Sequence, residues 1–297
     1  MKFIIFVLIM ASTALAGETG FKPDTASIYP EYLQVPSDSL FFDGYKAVTY
    51  NYEDSSGHIT SILNVLRIFR GRKEMIAVYD ECSGMYNFCE SLSIFKDNCY
   101  LQDINKDGLG ELIIAYGTGG ANCCEGGYLY SMADSAILLL QMKPALLSFE
   151  LTDIDNDSIP EILTCADIFA SFMEYPYRSF MQWLIWKWDG KSYRLANGRF
   201  ADYILDQLGP NQIPPLDVLN GHTKLWVTAS KLIDAPSNAF WEMVFSYYFA
   251  GKPLQADSLF NTYWPPNVPG KDEYYKELKR RTSSLNPLWQ NIKESNW

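Results

Sequence analysis

Histidine is almost absent from this chain of 297 residues, which contains only two. The six cysteines include no Cys-x-x-Cys pair. Because zinc sites are built from closely spaced cysteine and histidine ligands, this composition argues against a zinc site. Catalytic motifs are missing as well: the sequence has no nucleophile elbow, no zincin helix and no recognisable Ser/His/Asp set.

Basic residues are also few, with 24 Lys and Arg against 35 Asp and Glu, which gives a formal net charge of −11. Nucleic acids and anionic membrane surfaces attract basic proteins and repel acidic ones. The sequence therefore argues against a nucleic-acid partner and against binding to anionic membranes.

Long apolar runs are confined to the first sixteen residues. Lys2 precedes an apolar stretch over residues 3–10, and Ala14-Leu15-Ala16 offers small residues for cleavage, the pattern of a secretory signal peptide. The stretch is too short to span a bilayer. We therefore expect residues 1–16 to be removed and the mature chain to be secreted or periplasmic, without membrane insertion.

The cysteines suit an oxidising compartment, where disulfides persist. Six cysteines allow many pairings, so the sequence leaves the connectivity open. Cys82 and Cys89 flank a Gly-containing loop and are predicted to form a local bridge. The adjacent Cys123 and Cys124 bond either to each other or elsewhere. The remaining two are Cys99 and Cys165.

A pattern of alternating oxygen-bearing side chains occurs twice, fifty residues apart. Loop one, residues 103–111, reads Asp-Ile-Asn-Lys-Asp-Gly-Leu-Gly-Glu, and loop two, residues 153–161, reads Asp-Ile-Asp-Asn-Asp-Ser-Ile-Pro-Glu. Ca²⁺ prefers six to eight oxygen ligands, which alternate residues of a tight loop can supply. We predict calcium in both loops, the alternative being acidic β-turns that need no ion. The predicted ligands are Asp103, Asn105, Asp107, Leu109 (carbonyl), Glu111, Asp153, Asp155, Asp157, Ile159 (carbonyl) and Glu161.

The two loops differ at position 6, which is Gly108 in loop one and Ser158 in loop two. Glycine adopts positive φ at little cost, so we expect a more strained turn and a weaker site in loop two. An EF-hand does not fit, because its bidentate Glu stands at position 12 and its flanks are helices. Here the flanking residues are apolar and β-branched, which predicts strands.

Strand patterns dominate the first two thirds of the chain. Hairpins are predicted at residues 59–79, 128–142 and 182–195, the last across an Asp-Gly turn. A unit of strand, acidic loop and further strands recurs at about 50 residues, a propeller-blade length. We predict a mainly β fold with α: a partial or small propeller-like antiparallel β domain with calcium loops, followed by a C-terminal helical domain.

Composition shifts mark the domain boundaries. The stretch before residue 45 is rich in Pro, Ser, Asp and Tyr without a clear period. Helical patterns begin near residue 200, and Ser237 is predicted to cap a helix that ends before Gly251. The predicted domains are a signal peptide at 1–16, an irregular lead-in or linker at 17–44, the β domain at 45–200 and the helical domain at 201–297.

The order of strand, D-x-[DN]-x-D-[GS]-x-x-E loop and strand resembles the calcium loops of FG-GAP/VCBS repeats, which form the blades of integrin-alpha-type β-propellers. Residues 100–200 are similar to exported bacterial FG-GAP/VCBS-like proteins of unknown function. Those proteins carry Gly-Gly-Ala-His-Cys-Cys after the first loop, where this chain has Asn122 instead of His. They also carry an Asp- and Phe-containing segment after the second loop, here residues 167–172. The resemblance implies a propeller-like fold and calcium, but no reaction.

The Gly-rich segment at residues 117–124 lacks the Lys-Ser/Thr of a phosphate loop. On its residues alone it is predicted to be a flexible loop between strands.

We expect a non-catalytic module that binds another protein or a cell-surface glycan through the loops on one sheet face. Two alternatives stay open. One is an exported hydrolase with its site between the β face and the helices, using Asp167, Asp189 or His222. The other is a structural envelope component whose helical region docks a partner.

Overall fold

The computed structural model describes residues 7–10, 33–53, 56, 59–81, 101–120, 123–146, 149–166, 168–169, 172–173, 182–209, 213–228, 231–283 and 291–292. The chain forms two compact units, Met1–Leu147 (unit one) and Ser148–Trp297 (unit two). The predicted β domain at 45–200 extends over both of them.

Unit one contains two four-stranded sheets. The first has the order β2-β3-β4-β5 and is antiparallel throughout. The second has the order β1-β6-β7-β8, with β1 parallel to β6. The strands are β1 (Val7–Met10), β2 (Leu33–Phe42), β3 (Tyr45–Glu53), β4 (Ile59–Arg70), β5 (Lys73–Glu81), β6 (Gly110–Gly120), β7 (Cys123–Met132) and β8 (Ala136–Leu146).

The prediction of an irregular lead-in is wrong for residues 33–42, which form β2. The Pro, Ser and Asp content of this stretch hid the strand. β2 lies at the edge of its sheet, and proline is tolerated there because its missing N–H need not join a ladder. The pairing of β2 with β3 is irregular between Pro36 and Asp38.

β1 lies within the predicted signal segment. Its residues pair with β6 from Ile114 to Gly117. Signal cleavage stays a prediction, and cleavage after Ala16 would remove β1 and leave β6 at the edge of its sheet.

The sequence predicted a loop between strands for the Gly-rich segment, and this prediction is wrong. β6 continues to Gly120, β7 begins at Cys123, and these two residues pair. The pairing is irregular between Gly117 and Gly120, where glycine offers no side chain to pack. The ladder with β7 therefore imposes strand on a sequence of low strand propensity. Asn122 lies outside the described residues.

One apolar core joins the two sheets of unit one. Leu66 and Ile68 of β4 are fully buried and belong to the same cluster as Leu112 and Ile114 of β6 and Met132 of β7. Residues two apart on a strand point to the same face, which is why these alternate positions meet. Each such side chain contributes about 1.5–3 kcal/mol when it is fully buried.

Unit two begins with a four-stranded antiparallel sheet of order β9-β10-β11-β12 and continues with helices and a two-stranded hairpin. Its elements are β9 (Phe149–Thr152), β10 (Glu161–Ala166), β11 (Gln182–Trp188), β12 (Tyr193–Leu195), α1 (Ala201–Asp206), α2 (Leu216–Leu219), β13 (His222–Thr228), β14 (Lys231–Pro236), α3 (Asn238–Phe249), α4 (Pro253–Tyr263) and α5 (Lys271–Arg281).

The predicted class is confirmed in its coarse form: the described chain is mainly antiparallel β sheet with several helices. The predicted helical domain needs one correction, because the β13–β14 hairpin lies within it. The mixed sequence over these residues has no helical period, and antiparallel pairing satisfies its backbone. Ser237 caps α3 as predicted, since its hydroxyl accepts a hydrogen bond of 3.2 Å from the N–H of Phe240.

An aromatic core holds the helices of unit two. Phe169 and Phe172, from the segment that resembles the FG-GAP/VCBS-like group, are fully buried. Phe169 stacks on Phe245 of α3 with 3.7 Å between ring centroids, and Phe172 packs edge-on against Trp241 at 4.7 Å. This segment therefore anchors α3.

Among the helices that the structure describes, none has both the length and the apolar character needed to cross a bilayer.

The predicted bridge between Cys82 and Cys89 lies outside the described residues, as does Cys99. Cys165 lies on β10, and Cys123 and Cys124 lie on β7. The disulfide pairing stays open.

Candidate metal centre

Both acidic loops are closed at the base by the same strand positions. In loop one, Gln102 and Glu111 exchange backbone hydrogen bonds of 3.4 and 2.8 Å. In loop two, Thr152 of β9 pairs with Glu161 of β10. The predicted flanking strands are therefore confirmed after loop one and on both sides of loop two, whereas the described residues before loop one form a single bridge at Gln102.

Left-handed residues occupy positions 4 and 6 of each loop. The φ angles are 63° at Lys106 and 87° at Gly108 in loop one, and 58° at Asn156 and 71° at Ser158 in loop two. The positive φ expected at Gly108 is confirmed. Ser158 adopts the same conformation, which costs a non-glycine residue roughly 1–2 kcal/mol.

The aspartate at position 1 organises the turn. Asp103 Oδ2 accepts a hydrogen bond of 3.2 Å from Gly108 N–H. Asp153 Oδ2 accepts one of 3.0 Å from Ser158 N–H, and its Oδ1 accepts another of 3.0 Å from Asp157 N–H. These bonds curl each loop around its first carboxylate.

The aspartate at position 5 stabilises the second half of each loop. Asp107 Oδ1 accepts from Leu109 N–H at 2.9 Å, and Asp157 Oδ1 accepts from Ile159 N–H at 2.9 Å. In loop one, Asn105 Nδ2 also donates to Asp107 Oδ2 at 2.9 Å. Leu109 and Ile159 thus have a structural role through their N–H groups, and the ligand role of their carbonyls stays a prediction.

The glutamate at position 9 is buried beneath each loop, with 2 % exposure for Glu111 and 0 % for Glu161. Glu111 Oε2 accepts from Ile104 N–H at 2.7 Å, and Glu161 Oε2 accepts from Ile154 N–H at 2.8 Å. The same carboxylate oxygen has the same partner in both loops. The two loops differ at the other oxygen, Oε1.

In loop two, the ammonium group of Lys187 lies among the carboxylates. Its Nζ is 2.9 Å from Asp155 Oδ2, 2.7 Å from Asp157 Oδ2 and 2.9 Å from Glu161 Oε1. Arg199 adds a second contact to Asp155 Oδ2 at 3.1 Å. By distance alone loop two is a compact acidic cluster, since one oxygen each of Asp153, Asp155 and Glu161 lies within 4.8 Å of the others.

The ion pairs of Lys187 overcome the cost of burying it. Burial by itself lowers the pKa of the ammonium, but hydrogen bonds to Asp157, Asp155 and Glu161 reverse that effect and raise the pKa above its ordinary value. The hydrogen bond from Lys187 in turn lowers the pKa of Asp157. Loop two therefore carries its own cation.

In loop one, three buried oxygens have no hydrogen-bond partner within the described part of the chain. They are Asp103 Oδ1, Glu111 Oε1 and Ser131 Oγ. Ser131 is 2 % exposed and lies directly opposite Glu111 in the β6–β7 ladder, so its side chain shares a sheet face with that carboxylate. Burying polar groups without partners is unfavourable, and oxygen atoms of this kind are the ligands that a hard cation prefers.

The raised pKa of Glu111 also favours a cation beside this carboxylate. Burial raises the pKa of Glu111 to about 7, against the lowering effect of the Ile104 and Asn105 N–H groups, and Asp107 and Asp103 raise it further. A buried carboxylate close to two others becomes stable in its charged form when a cation neutralises it.

The structure brings Asp153, Asp155 and Glu161 of loop two together, whereas the carboxylates of loop one form no equally compact cluster among the described residues. Sequence reasoning missed Ser131 and Lys187, which come from the neighbouring strands β7 and β11. The sequence contained an indication for Lys187, because a charged residue stands two positions after the apolar Ile185 and therefore on the same, buried face of the strand. It contained none for Ser131.

Of the three residues proposed for a hydrolase, the structure describes the side-chain contacts of Asp189. Asp189 caps the turn between β11 and β12, where its Oδ1 accepts from Lys191 and Ser192 N–H at 2.8 Å each. Its Oδ2 pairs with Arg194 at 2.5 Å. His222 opens β13, and Asp167 lies outside the described residues.

Comparison with family models, curated proteins and solved structures gave no significant match. The likeness of the two loops to FG-GAP/VCBS repeats therefore stays a resemblance. The functional argument is carried by the geometry of the loops themselves.

Proposed function

We propose that this protein is an exported, non-catalytic β module that binds calcium in loop one. The observation that carries the proposal is the set of three buried, unpartnered oxygens on Asp103, Glu111 and Ser131. A hard cation such as Ca²⁺ takes oxygen ligands from carboxylates, carbonyls and water, and the side chains of loop one supply such oxygens.

Calcium would stabilise unit one by linking the loop to the strand beneath it. Asp103 at position 1 belongs to the loop, whereas Glu111 is the second residue of β6 and Ser131 lies on β7. An ion held by both parts fixes the loop to its hairpin. Weak extracellular-type affinity suits an exported protein, because free calcium is plentiful outside the cell.

The repeated architecture supports a propeller-like arrangement of the FG-GAP/VCBS type. The described chain has three four-stranded sheets, one of which would keep β6, β7 and β8 after signal cleavage, and four-stranded sheets are the blades of β-propellers. In both loop-containing sheets an acidic loop leads directly into three antiparallel strands, β6 to β8 after loop one and β10 to β12 after loop two. In this proposal each such sheet corresponds to one blade.

The loops that calcium fixes would form the surface that recognises a partner. Binding residues commonly lie on loops held by a rigid scaffold. The net charge of −11 favours a protein or a cell-surface glycan over a nucleic acid. No catalytic step is assigned, since Asp189 is engaged in a turn.

Calcium titration of the purified chain tests the proposal. With calcium about tenfold above a dissociation constant in the range of about 10⁻⁴–10⁻³ M, mass action stabilises the folded state by about 1.4 kcal/mol. This raises the melting temperature of unit one by roughly 3–6 °C. Circular dichroism measures that temperature, and isothermal titration calorimetry measures the binding itself.

Glu111→Gln is the decisive variant, because it removes the charge at Oε1 with little change of shape. We expect it to lose the calcium-dependent rise in melting temperature. Asp134→Asn is the matched control, since Asp134 is an exposed carboxylate of the same unit outside the loops. Wild-type protein that neither binds calcium nor gains stability in millimolar calcium would refute the proposal.

A further inference from the structure

We propose that Lys187 makes loop two independent of calcium, because its ammonium group takes the place that the ion takes in loop one. The inference rests on the proposed calcium site in loop one. It adds that the residue across the strand from position 9 decides whether a loop of this type needs an ion.

The two loops have the same internal frame. In each, position 6 donates its N–H to Oδ2 of the first aspartate, and position 2 donates its N–H to Oε2 of the glutamate. Position 7 donates its N–H to Oδ1 of the aspartate at position 5. The loops still differ at position 3, which is Asn105 in loop one and Asp155 in loop two, and a second difference lies outside the loops.

That difference lies on the neighbouring strand. Leu112 pairs with Tyr130 in β6–β7, and Ile162 pairs with Trp186 in β10–β11. One residue further on, Glu111 pairs with Ser131. Extending the β10–β11 register by one residue sets Glu161 opposite Lys187, and their side chains are in contact. Serine and lysine thus occupy equivalent positions beside the buried glutamate.

The lysine reaches the atom that serine leaves unpartnered. Lys187 Nζ is 2.9 Å from Glu161 Oε1, whereas the equivalent Oε1 of Glu111 has no partner in the described part of the chain. The long stem of lysine carries a charge to this point while its methylenes stay buried. A serine hydroxyl is short and neutral, so it cannot neutralise the carboxylates of loop one.

Calcium cannot enter loop two without displacing this ammonium. Asp155, Asp157 and Glu161 are all within 3.2 Å of Lys187 Nζ. Displacement would leave a buried lysine without its partners, which is strongly unfavourable. The proposal therefore predicts one calcium ion for the two loops together.

An exchange of the two residues tests the inference. Calcium stoichiometry is measured by isothermal titration calorimetry on wild type, on Lys187→Ser and on Ser131→Lys. We expect Lys187→Ser to gain a second ion and Ser131→Lys to lose the ion of loop one. Glu161→Gln added to Lys187→Ser should remove the gained ion, which assigns that ion to loop two.

Terbium gives a second readout for loop two. All eight tryptophans of the chain follow residue 182, and Trp186 and Trp188 flank Lys187. Terbium bound in loop two of Lys187→Ser should therefore emit on tryptophan excitation, and adding Glu161→Gln to this variant should remove the gained emission.

The outcomes separate this inference from the proposed function. Wild type without any calcium site refutes the site in loop one, and a site gained by Lys187→Ser would still support the role of Lys187. A Lys187→Ser protein that folds but gains no ion overturns the inference. If that variant folds only in calcium, the inference is supported. If it folds under neither condition, Ser131→Lys decides: loss of the loop-one ion supports the inference, and a retained ion overturns it.

Discussion

Lys187 Nζ lies 2.9 Å from Glu161 Oε1 across two neighbouring strands, and this contact has no counterpart between Ser131 and Glu111 in the other acidic loop. Two loops that share the residues at positions 1, 2, 5 and 9 and three backbone-to-carboxylate hydrogen bonds thus meet different residues on the neighbouring strand. That difference turns one acidic loop into a closed ion-pair network and leaves the other with unsatisfied oxygens. The predictions below test the consequences.

In a calcium chelator, unit one should lose stability as pH rises. The folded-state pKa of Glu111 is raised to about 7 from an ordinary 4.5, so the folded protein holds its proton more tightly than the unfolded chain does. The contribution is therefore fully present below about pH 4.5 and is lost as pH rises through about 7, at a cost on the order of 2–3 kcal/mol. Urea denaturation followed by circular dichroism between about pH 5 and about pH 8 measures this change.

Glu111→Gln provides the reference for this pH dependence, because glutamine does not titrate. The difference in the free energy of unfolding between wild type and Glu111→Gln should decrease as pH rises. A difference that stays constant with pH in chelator would contradict the prediction.

Substitutions at position 6 should act in opposite directions in the two loops. Gly108→Ala places a side chain at φ 87°, and Ser158→Gly removes one at φ 71°. A Cβ at Gly108 meets no atom within 4 Å, so the effect there is one of backbone conformation alone. We expect Gly108→Ala to destabilise and Ser158→Gly to stabilise, each by about 0.5–1 kcal/mol.

Tryptophan fluorescence reports unit two for Ser158→Gly, since every tryptophan lies there, and circular dichroism reports unit one for Gly108→Ala. Ser158→Ala serves as the control, because it keeps the left-handed strain and should not stabilise. A loss of stability in Ser158→Gly would show that the positive φ carries no strain.

Asn197 should be essential for the packing of the sheet in unit two. It is fully buried, its Oδ1 accepts from Ile185 N–H at 2.9 Å, and its Nδ2 donates to Trp183 carbonyl at 2.8 Å. Asn197→Ala leaves two buried backbone groups of β11 without partners, which costs about 2–4 kcal/mol. Chemical denaturation followed by tryptophan fluorescence measures the loss. Arg194→Ala, at an exposed residue of β12, should change stability by less than about 0.5 kcal/mol.

Ser237 should stabilise α3 through its side chain. Its hydroxyl accepts from Phe240 N–H at 3.2 Å and donates to Val218 carbonyl at 3.0 Å. Ser237→Ala removes both bonds and should destabilise unit two by about 1–2 kcal/mol. Ser237→Asp keeps an acceptor for the Phe240 N–H and should lose less stability than Ser237→Ala. Equal losses in the two variants, measured by thermal melting, would show that the cap is not the source of the stability.

Features decided by neighbouring residues could be predicted from the sequence. The flanking strands, the positive φ at Gly108, the Ser237 cap and the turn between β11 and β12 each depend on interactions within a few residues. Backbone conformational preference and local hydrogen bonds are enough to specify them. The repeat of about fifty residues could be recognised because the residues of each loop are close together in the sequence.

Features that depend on pairing between distant segments could not be predicted. β2 looked irregular because its proline is tolerable only at a sheet edge, and the Gly-rich segment looked like a loop because its strand form is imposed by β7. Edge position and ladder partners belong to the whole sheet and not to the segment.

The amino-acid sequence by itself determined two nine-residue turns, each lined with oxygens. The tertiary structure decided which residue meets those oxygens, since Lys187 lies 26 residues beyond Glu161 and reaches it only through the register of β10 with β11. Register is set by the length of the connection and by the packing of the whole sheet. For that physical reason, the charge balance of each loop emerges only when the strands are paired.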